Sequence, residues 1–251
     1  EKKSVFSFFT DDCHGFVPED DDFCDFLVSG NRGSFSRFGM TATAGLEKTE
    51  SLGLDGWKIS YKGITIQFPM PGPYNLVNAI AAISLAQHYG LAPDTIRKGL
   101  ESVTPLFGRT EIFRGSVTAV FDYYNANPQS MREAMQFCDE LSWDGEKVFI
   151  LGSMLELGSA SREAHRAICL AADRSSASHI VLFGDDMLEA GRETPWNHAS
   201  VFFAGTMESL TEHVSSILTH NALVFIKGSR GMALERLRPV LDHFERPEVC
   251  S

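Results

Sequence analysis

Apolar and polar positions along the chain follow two different rhythms. In the first stretch residues 5–9 (VFSFF) predict a short strand, and residues 35–44 (FSRFGMTATA) alternate weakly, as an edge strand does. Residues 57–61 and 64–68 (WKISY, ITIQF) flank Lys62-Gly63, and a two-residue link ending in glycine predicts a hairpin because glycine accepts the positive φ of a tight turn. Pro69, Pro71, Gly72 and Pro73 then stop the pattern. From 75 to 89, Leu76, Ile80, Ile83 and the alanines recur at helical spacing with Gly90 as terminator, and a second helix is predicted from about 94 to 100. Residues 104–109 (TPLFGR) carry neither period and read as a connection between domains.

Beyond that connection strands and helices alternate strictly. Strands are predicted at 117–121, 148–151, 180–183, 201–203 and 223–226, and helices at 128–141, 161–172, 186–190, 207–218 and 232–244. Repeated βα units demand a mostly parallel sheet with helices on both faces, so the expected fold class is α/β, with this half Rossmann-like. Gly152-Ser153, Gly184-Asp185, Gly205-Thr206 and Gly228-Ser229 punctuate the strand ends. Ligands of open parallel sheets lie beyond those ends, where glycine lets backbone approach them, although ordinary βα turns with helix caps use the same residues. No GxGxxG occurs, which disfavours a nicotinamide enzyme.

Composition narrows the partners. The 251 residues are 43% hydrophobic and 22% charged, as expected of a soluble globular chain with one large domain or two ordinary ones. The 22 Lys and Arg against 33 Asp and Glu leave a net charge of -11, which opposes binding to nucleic acid but admits a nucleotide held by a local positive site. Residues 19–22, within PEDDDF, read as a solvated acidic loop. Cys13, Cys24, Cys138, Cys169 and Cys250 are scattered and never in CxxC spacing, so neither a disulfide framework nor a metal site is expected, and a reducing cytoplasm fits best. No apolar run approaches the roughly 20 residues that span a bilayer, so no membrane is expected either. The chain does not begin with methionine, which suggests processing or a piece of a longer protein.

The segment that carries most chemistry is 122–131 (DYYNANPQSM), where a strand ends and a helix begins. Asn127 is a good N-cap and Pro128 suits the first helical position, a structural role sufficient for both. It does not account for Asp122 or Asn125. A carboxylate at a strand's carboxyl end is placed to accept hydrogen bonds from a ribose diol, while amides and a helix N-terminus can meet phosphate or carboxylate.

This segment resembles the DxYNANPxSM signature of the MurF group of Mur ligases, which add D-alanyl-D-alanine to the peptidoglycan precursor. Residues 71–90 (PGPYNLVNAIAAISLAQHYG) resemble the family's G-x-HN-x-x-NA-x-AA helix start, 107–111 (FGRTE) its GR-x-E hinge, 151–158 (LGSMLELG) its LGDM-x-ELG with His165 at the place of the following histidine, and 224–232 (VFIKGSRGM) its KGSRGM. The resemblance implies an ATP-dependent amide ligase working with magnesium on UDP-N-acetylmuramoyl tripeptide and D-alanyl-D-alanine through an acyl phosphate. A carboxylate is a poor electrophile until its oxygen becomes a leaving group, and charge gathering on the phosphoryl oxygens must be neutralised.

Carried over residue by residue, the resemblance implies that Asn78 meets adenine, Arg109 lies near adenine and ribose, and Asp122 binds ribose. Asn125 and Asn127 would stand at the junction of nucleotide and acceptor, Lys227, Ser229 and Arg230 would face the same cleft, and Glu156 and His165 would shape the dipeptide side. Plainer roles exist: Asn78 as an exposed helix residue, His165 as a satisfied surface histidine, Glu156 as a first-turn charge complementing a helix dipole. Tyr74 departs from the family's histidine, Phe121 from the first of an aspartate pair, and Ser153 from the aspartate of GDM, so the turn at 153 loses any charge role. No GxxxxGK[ST] phosphate loop occurs. The resemblance therefore implies that residues 1–108 are the last part of the central ATP-binding domain, an incomplete α/β piece, and 109–251 the C-terminal Rossmann-like domain. Upstream domains of the same enzyme would then be its partners, and the chain alone would be inactive. Another Mur ligase or folylpolyglutamate synthetase shares this architecture, but NANP favours the MurF group. The alternative of a different class is a non-catalytic Rossmann-like module that binds a nucleotide or peptide.

Overall fold

The computed structural model describes residues 2–242. The chain divides between Thr104 and Pro105 into two compact units.

In the first unit, β1 (His14–Pro18) pairs in parallel with β2 (Ser34–Phe38), and α1 (Cys24–Val28) lies between them in sequence. β3 (Leu46–Ser51), β4 (Trp57–Tyr61) and β5 (Ile64–Phe68) form an antiparallel meander, followed by α2 (Pro73–His88) and α3 (Pro93–Glu101). The β4–β5 link is the expected hairpin, with Lys62 and Gly63 both at positive φ. Ile59, Tyr61, Ile66 and Phe68 alternate inward from the strands and meet Leu76, Ala79, Ile80 and Ile83 of α2 and Ile96 and Leu100 of α3, so periods of two and 3.6 close on one core. Of residues 35–44 only the first part is strand; the rest turns, with the Thr43 hydroxyl accepting from the Gly39 N–H at 3.1 Å.

The expected strand at 5–9 is instead part of a 3-10 helix, Lys2–Phe8. Phe6 and Phe9 contact each other at 5.1 Å and both meet Phe35, at 5.2 and 5.6 Å. Residues three apart share a side of a helical turn but point to opposite faces of a strand, so the aromatic cluster selects the turn.

The second unit holds a six-stranded sheet. Its elements are β6 (Glu111–Arg114), β7 (Thr118–Asp122), α4 (Pro128–Glu140), β8 (Lys147–Gly152), α5 (Ser161–Asp173), β9 (His179–Phe183), α6 (Asp185–Arg192), β10 (Ser200–Ala204), α7 (Met207–Ile217), β11 (Leu223–Lys227) and α8 (Arg238–Asp242). The strand order is β10-β9-β8-β11-β7-β6, with all neighbours parallel except β6, which runs antiparallel to β7. The chain steps outward from β7 through β8 and β9 to β10, then returns to insert β11 between β8 and β7. This reversal sets the carboxyl ends of β7, β11 and β8 side by side, where ligands of such sheets lie. Val117, Ala119, Phe121, Val148, Ile150, Val224 and Ile226 pack on one face against α7 and the segment 234–241. The alternate residues, among them Val120, Phe149, Leu151 and Phe225, are equally buried, as expected of strands covered on both faces.

The hinge segment divides four residues earlier than the expected 108/109 boundary, so Phe107 and Gly108 belong to the second unit. The Phe107 ring contacts that of Tyr123 at 5.5 Å, and the Gly108 carbonyl accepts from the Tyr124 N–H at 3.0 Å. The expected helix at 232–244 is broken within the described residues into 3-10 turns Arg230–Met232 and Leu234–Leu237 before α8, and residues 243 and 244 lie outside them. Ala233 at φ +51 ends one turn, and Pro239 offers no N–H to carry a regular ladder through. No helix among the described residues is long and apolar enough to cross a membrane. Replacing the wholly buried Ile150 by alanine is expected to lower the stability of the second unit by about 2–5 kcal/mol, read from urea unfolding.

Candidate functional site

The β7 and β11 strands are in register so that Lys227 stands opposite Asp122. The Lys227 ammonium donates to the Asp122 carboxylate, to the Asn125 carbonyl at 3.1 Å and to the Asp122 carbonyl at 3.5 Å. Lys227 is only 2% exposed and Asp122 9%, and a charge so far from water persists only when paired. The ammonium thus spends all its donors on the carboxyl end of β7 and the loop that follows it. That loop runs into α4 through Asn127, whose side-chain oxygen accepts from the Ser130 N–H at 2.8 Å while the Ser130 hydroxyl accepts from the Asn127 N–H at 3.1 Å, with Pro128 in the first turn. Asn125 is exposed, and its side-chain oxygen accepts from the Ala126 N–H at 2.9 Å, leaving its amide nitrogen toward solvent.

Tyr123 and Tyr124 take opposite directions. Tyr123 is 1% exposed in the core, while Tyr124 is half-buried at the surface and held by the bond from its N–H to Gly108. Gly108 has φ +62, and a Cβ there would lie 2.6 Å from the Tyr123 ring, so the hinge passes this close only as glycine. The Arg109 guanidinium carbon lies 4.3 Å from the Tyr124 ring centroid and that of Arg230 5.2 Å. Among the described residues neither guanidinium is paired with a carboxylate. Two cations therefore meet at one ring on a chain of net charge -11.

The tips of β8, β9 and β11 are stitched together by backbone. Gly152 and Gly228 approach so closely that a Cβ on Gly228 would stand 2.9 Å from the Gly152 Cα. The Ser229 N–H donates to the Ser153 carbonyl at 3.0 Å, and the Ser229 hydroxyl accepts from the Leu155 N–H at 2.9 Å. His165 is wholly buried: its Nε2 accepts from the Met154 N–H at 2.8 Å, which puts the ring proton on Nδ1, donated to the Ser161 carbonyl at 2.8 Å. Ser153, where the resemblance expects an aspartate, accepts the Met187 N–H at 3.1 Å and so caps the first turn of α6 from a neighbouring strand. Glu156 is exposed at φ +64, a left-handed conformation that costs a non-glycine residue free energy and that the stitched loop imposes.

The fold therefore brings Arg109, Asp122, Asn125, Asn127, Lys227, Ser229 and Arg230 to the carboxyl edge of one sheet, with Glu156 on the adjoining loop and His165 beneath that loop. Asn78 lies in the first unit, exposed on α2. Tyr124 and Ser153 are the participants whose contacts the sequence does not announce. No periodicity or spacing distinguishes Tyr124 from Tyr123; the contacts of Tyr124 follow from burial and register.

Residues 108–230 match the family described as Mur ligase, glutamate ligase domain. The chain is 38% identical over 243 residues to the UDP-N-acetylmuramoyl-tripeptide–D-alanyl-D-alanine ligase of Treponema pallidum, covering 96% of this chain and 52% of that protein. It is 29% identical over 199 residues to the ligase of the same name from Bacillus subtilis, covering 77% and 43%. In fold it is similar to MurF from Acinetobacter baumannii, with TM-score 0.80 at 24% identity over 96% of this chain and 54% of that one. It is likewise similar to MurF ligase from Thermotoga maritima in complex with ADP, with TM-score 0.78 at 18% identity over 96% and 56%. Residues 108–230, within the second unit, carry the domain that the Mur ligase family match describes. The two curated relatives named above bear the same ligase name, and the chain spans about half their length.

Removing one partner of the buried pair leaves the other charge stranded. Lys227→Met is expected to cost about 3–5 kcal/mol in urea unfolding, and adding Asp122→Asn to it should recover part of the loss. Gly228→Ala must push β11 from β8, with an expected loss of about 1–3 kcal/mol in the same measurement.

Proposed function

We propose that this chain is part of an ATP-dependent amide ligase that joins D-alanyl-D-alanine to UDP-N-acetylmuramoyl tripeptide in the cytoplasm. The observation that carries the reading is the convergence of Arg109, Asp122, Asn125 and Arg230 at one sheet edge, in a chain whose relatives bear that activity in their names. The first unit, which ends at Thr104, then contributes the last part of the ATP-binding domain, and the remainder of the full-length protein grips the triphosphate.

The tripeptide carboxylate attacks the γ-phosphorus of ATP and releases ADP. The dipeptide amine then attacks the acyl carbon of the resulting acyl phosphate, loses a proton, and expels phosphate as the amide forms. Arg109 meets the nucleotide, and Asp122, with one carboxylate oxygen engaged by Lys227, offers the other to a ribose hydroxyl. Asn78 keeps the adenine role that the resemblance implies. The exposed amide of Asn125 and the capped start of α4 at Asn127 face the junction of nucleotide and acceptor. Arg230, next to Ser229, takes the dipeptide carboxylate, with which a guanidinium can form paired hydrogen bonds. Lys227 and His165 are positioning residues, since their polar atoms are already engaged by protein groups. Glu156, held outward, borders the dipeptide side. Magnesium accompanies ATP, but among the described residues no group of three or more His, Cys, Asp or Glu converges on a metal position.

The test is ATP-dependent phosphate release by the full-length protein with both substrates present. Turnover requiring the tripeptide and the dipeptide together supports the reading, whereas nucleotide binding without turnover would favour a binding module. The isolated 251-residue chain, which carries no GxxxxGK[ST] loop, is expected to release no phosphate. In the full-length enzyme Arg230→Ala is expected to raise the KM for D-alanyl-D-alanine by roughly 10–100-fold, the equivalent of one lost hydrogen bond to a charged group.

A further inference from the structure

We infer that Tyr124 is a positioning residue that sets the nucleotide-side and dipeptide-side guanidiniums together, so that the two substrates' affinities are linked through one aromatic ring. The inference rests on the ligase reading above. Arg109 precedes β6 and Arg230 follows β11, far apart in sequence, yet both guanidiniums lie against the Tyr124 ring, at 4.3 and 5.2 Å. Among the described residues neither guanidinium is in an ion pair with a carboxylate, so the ring is the contact they share. The ring's negative face is the group that the structure offers both cations.

The ring itself is held from both sides of its own backbone. Its N–H is bonded to Gly108, one residue before Arg109, and the carbonyl of the next residue, Asn125, accepts from the buried Lys227, three residues before Arg230. A shift of the ring therefore moves with the segments that carry the two arginines. An anion that draws one guanidinium away from the ring, or orders it there, changes the surroundings of the other, and linkage makes that effect mutual. The aromatic face carries this role and the hydroxyl does not, because guanidinium stacking uses the ring.

Steady-state kinetics of the full-length enzyme test this, with KM for ATP and for D-alanyl-D-alanine measured separately from kcat. Y124L, which keeps apolar bulk but removes the ring, is expected to raise both KM values about two- to fivefold each, the scale of one exposed cation–π contact, while kcat changes less. Y124F should restore both. Tm measurements on each variant separate unfolding from loss of positioning, and Y124W, which retains a π face, serves as a second rescue variant. The inference is overturned if Y124L raises only one of the two KM values, or if Y124F and Y124W behave like Y124L. A wild-type enzyme that ligates nothing overturns the functional reading and this inference with it, whereas an active wild type with an unresponsive Y124L overturns this inference alone.

Discussion

A buried ammonium ion organises the carboxyl edge of the sheet. Lys227 can exist at 2% exposure only because β11 is paired in register with β7, which sets Asp122 opposite it, and because the chain beyond Asp122 folds back to present the Asn125 carbonyl. Desolvating the charge costs several kcal/mol, and the three oxygens around it offset that cost. The same bonds decide where Tyr124 and Asn125 point, so the loop's shape is a consequence of satisfying one cation.

Deep and superficial interactions divide the labour by magnitude. The Lys227–Asp122 pair is worth about 3–5 kcal/mol against removal of one partner, whereas an exposed guanidinium on an aromatic face is worth about 0.5–1 kcal/mol. The first sets geometry that thermal motion does not disturb. The second positions Arg109 and Arg230 but leaves them free to turn. On the adjoining tips the contact of Gly152 with Gly228 and the bonds of Ser229, Ser153 and His165 make a wall from backbone groups, with little reliance on charged side chains.

Sequence reasoning succeeded where one element's pattern is decided within itself. The hairpin at Lys62-Gly63, the helix starting at Asn127-Pro128 and the buried strands of the second unit all depend on neighbours a few residues away. It failed where distant contacts outvote local pattern. The aromatic run at 5–9 is equally apolar as strand or turn, and Phe35 decides for the turn. The segment 232–244 has helical spacing, but Ala233 and Pro239 interrupt it within the described residues. β6 is invisible to periodicity, because four residues beside a hinge carry too short a period to register.

The site shows the same boundary. Composition and motif alone determined that the chain is α/β with a strand ending at Asp122, that Asn127 caps a helix, and that Arg109 and Arg230 are cations, because residue chemistry and local spacing need no partner. Only the tertiary structure decided that Lys227 is spent on Asp122 and Asn125, that His165 lies beneath a loop with both nitrogens engaged, and that Tyr124 and not Tyr123 faces the two arginines. Those outcomes follow from strand register and burial, which depend on which segments meet across the sheet and are not written in any one of them.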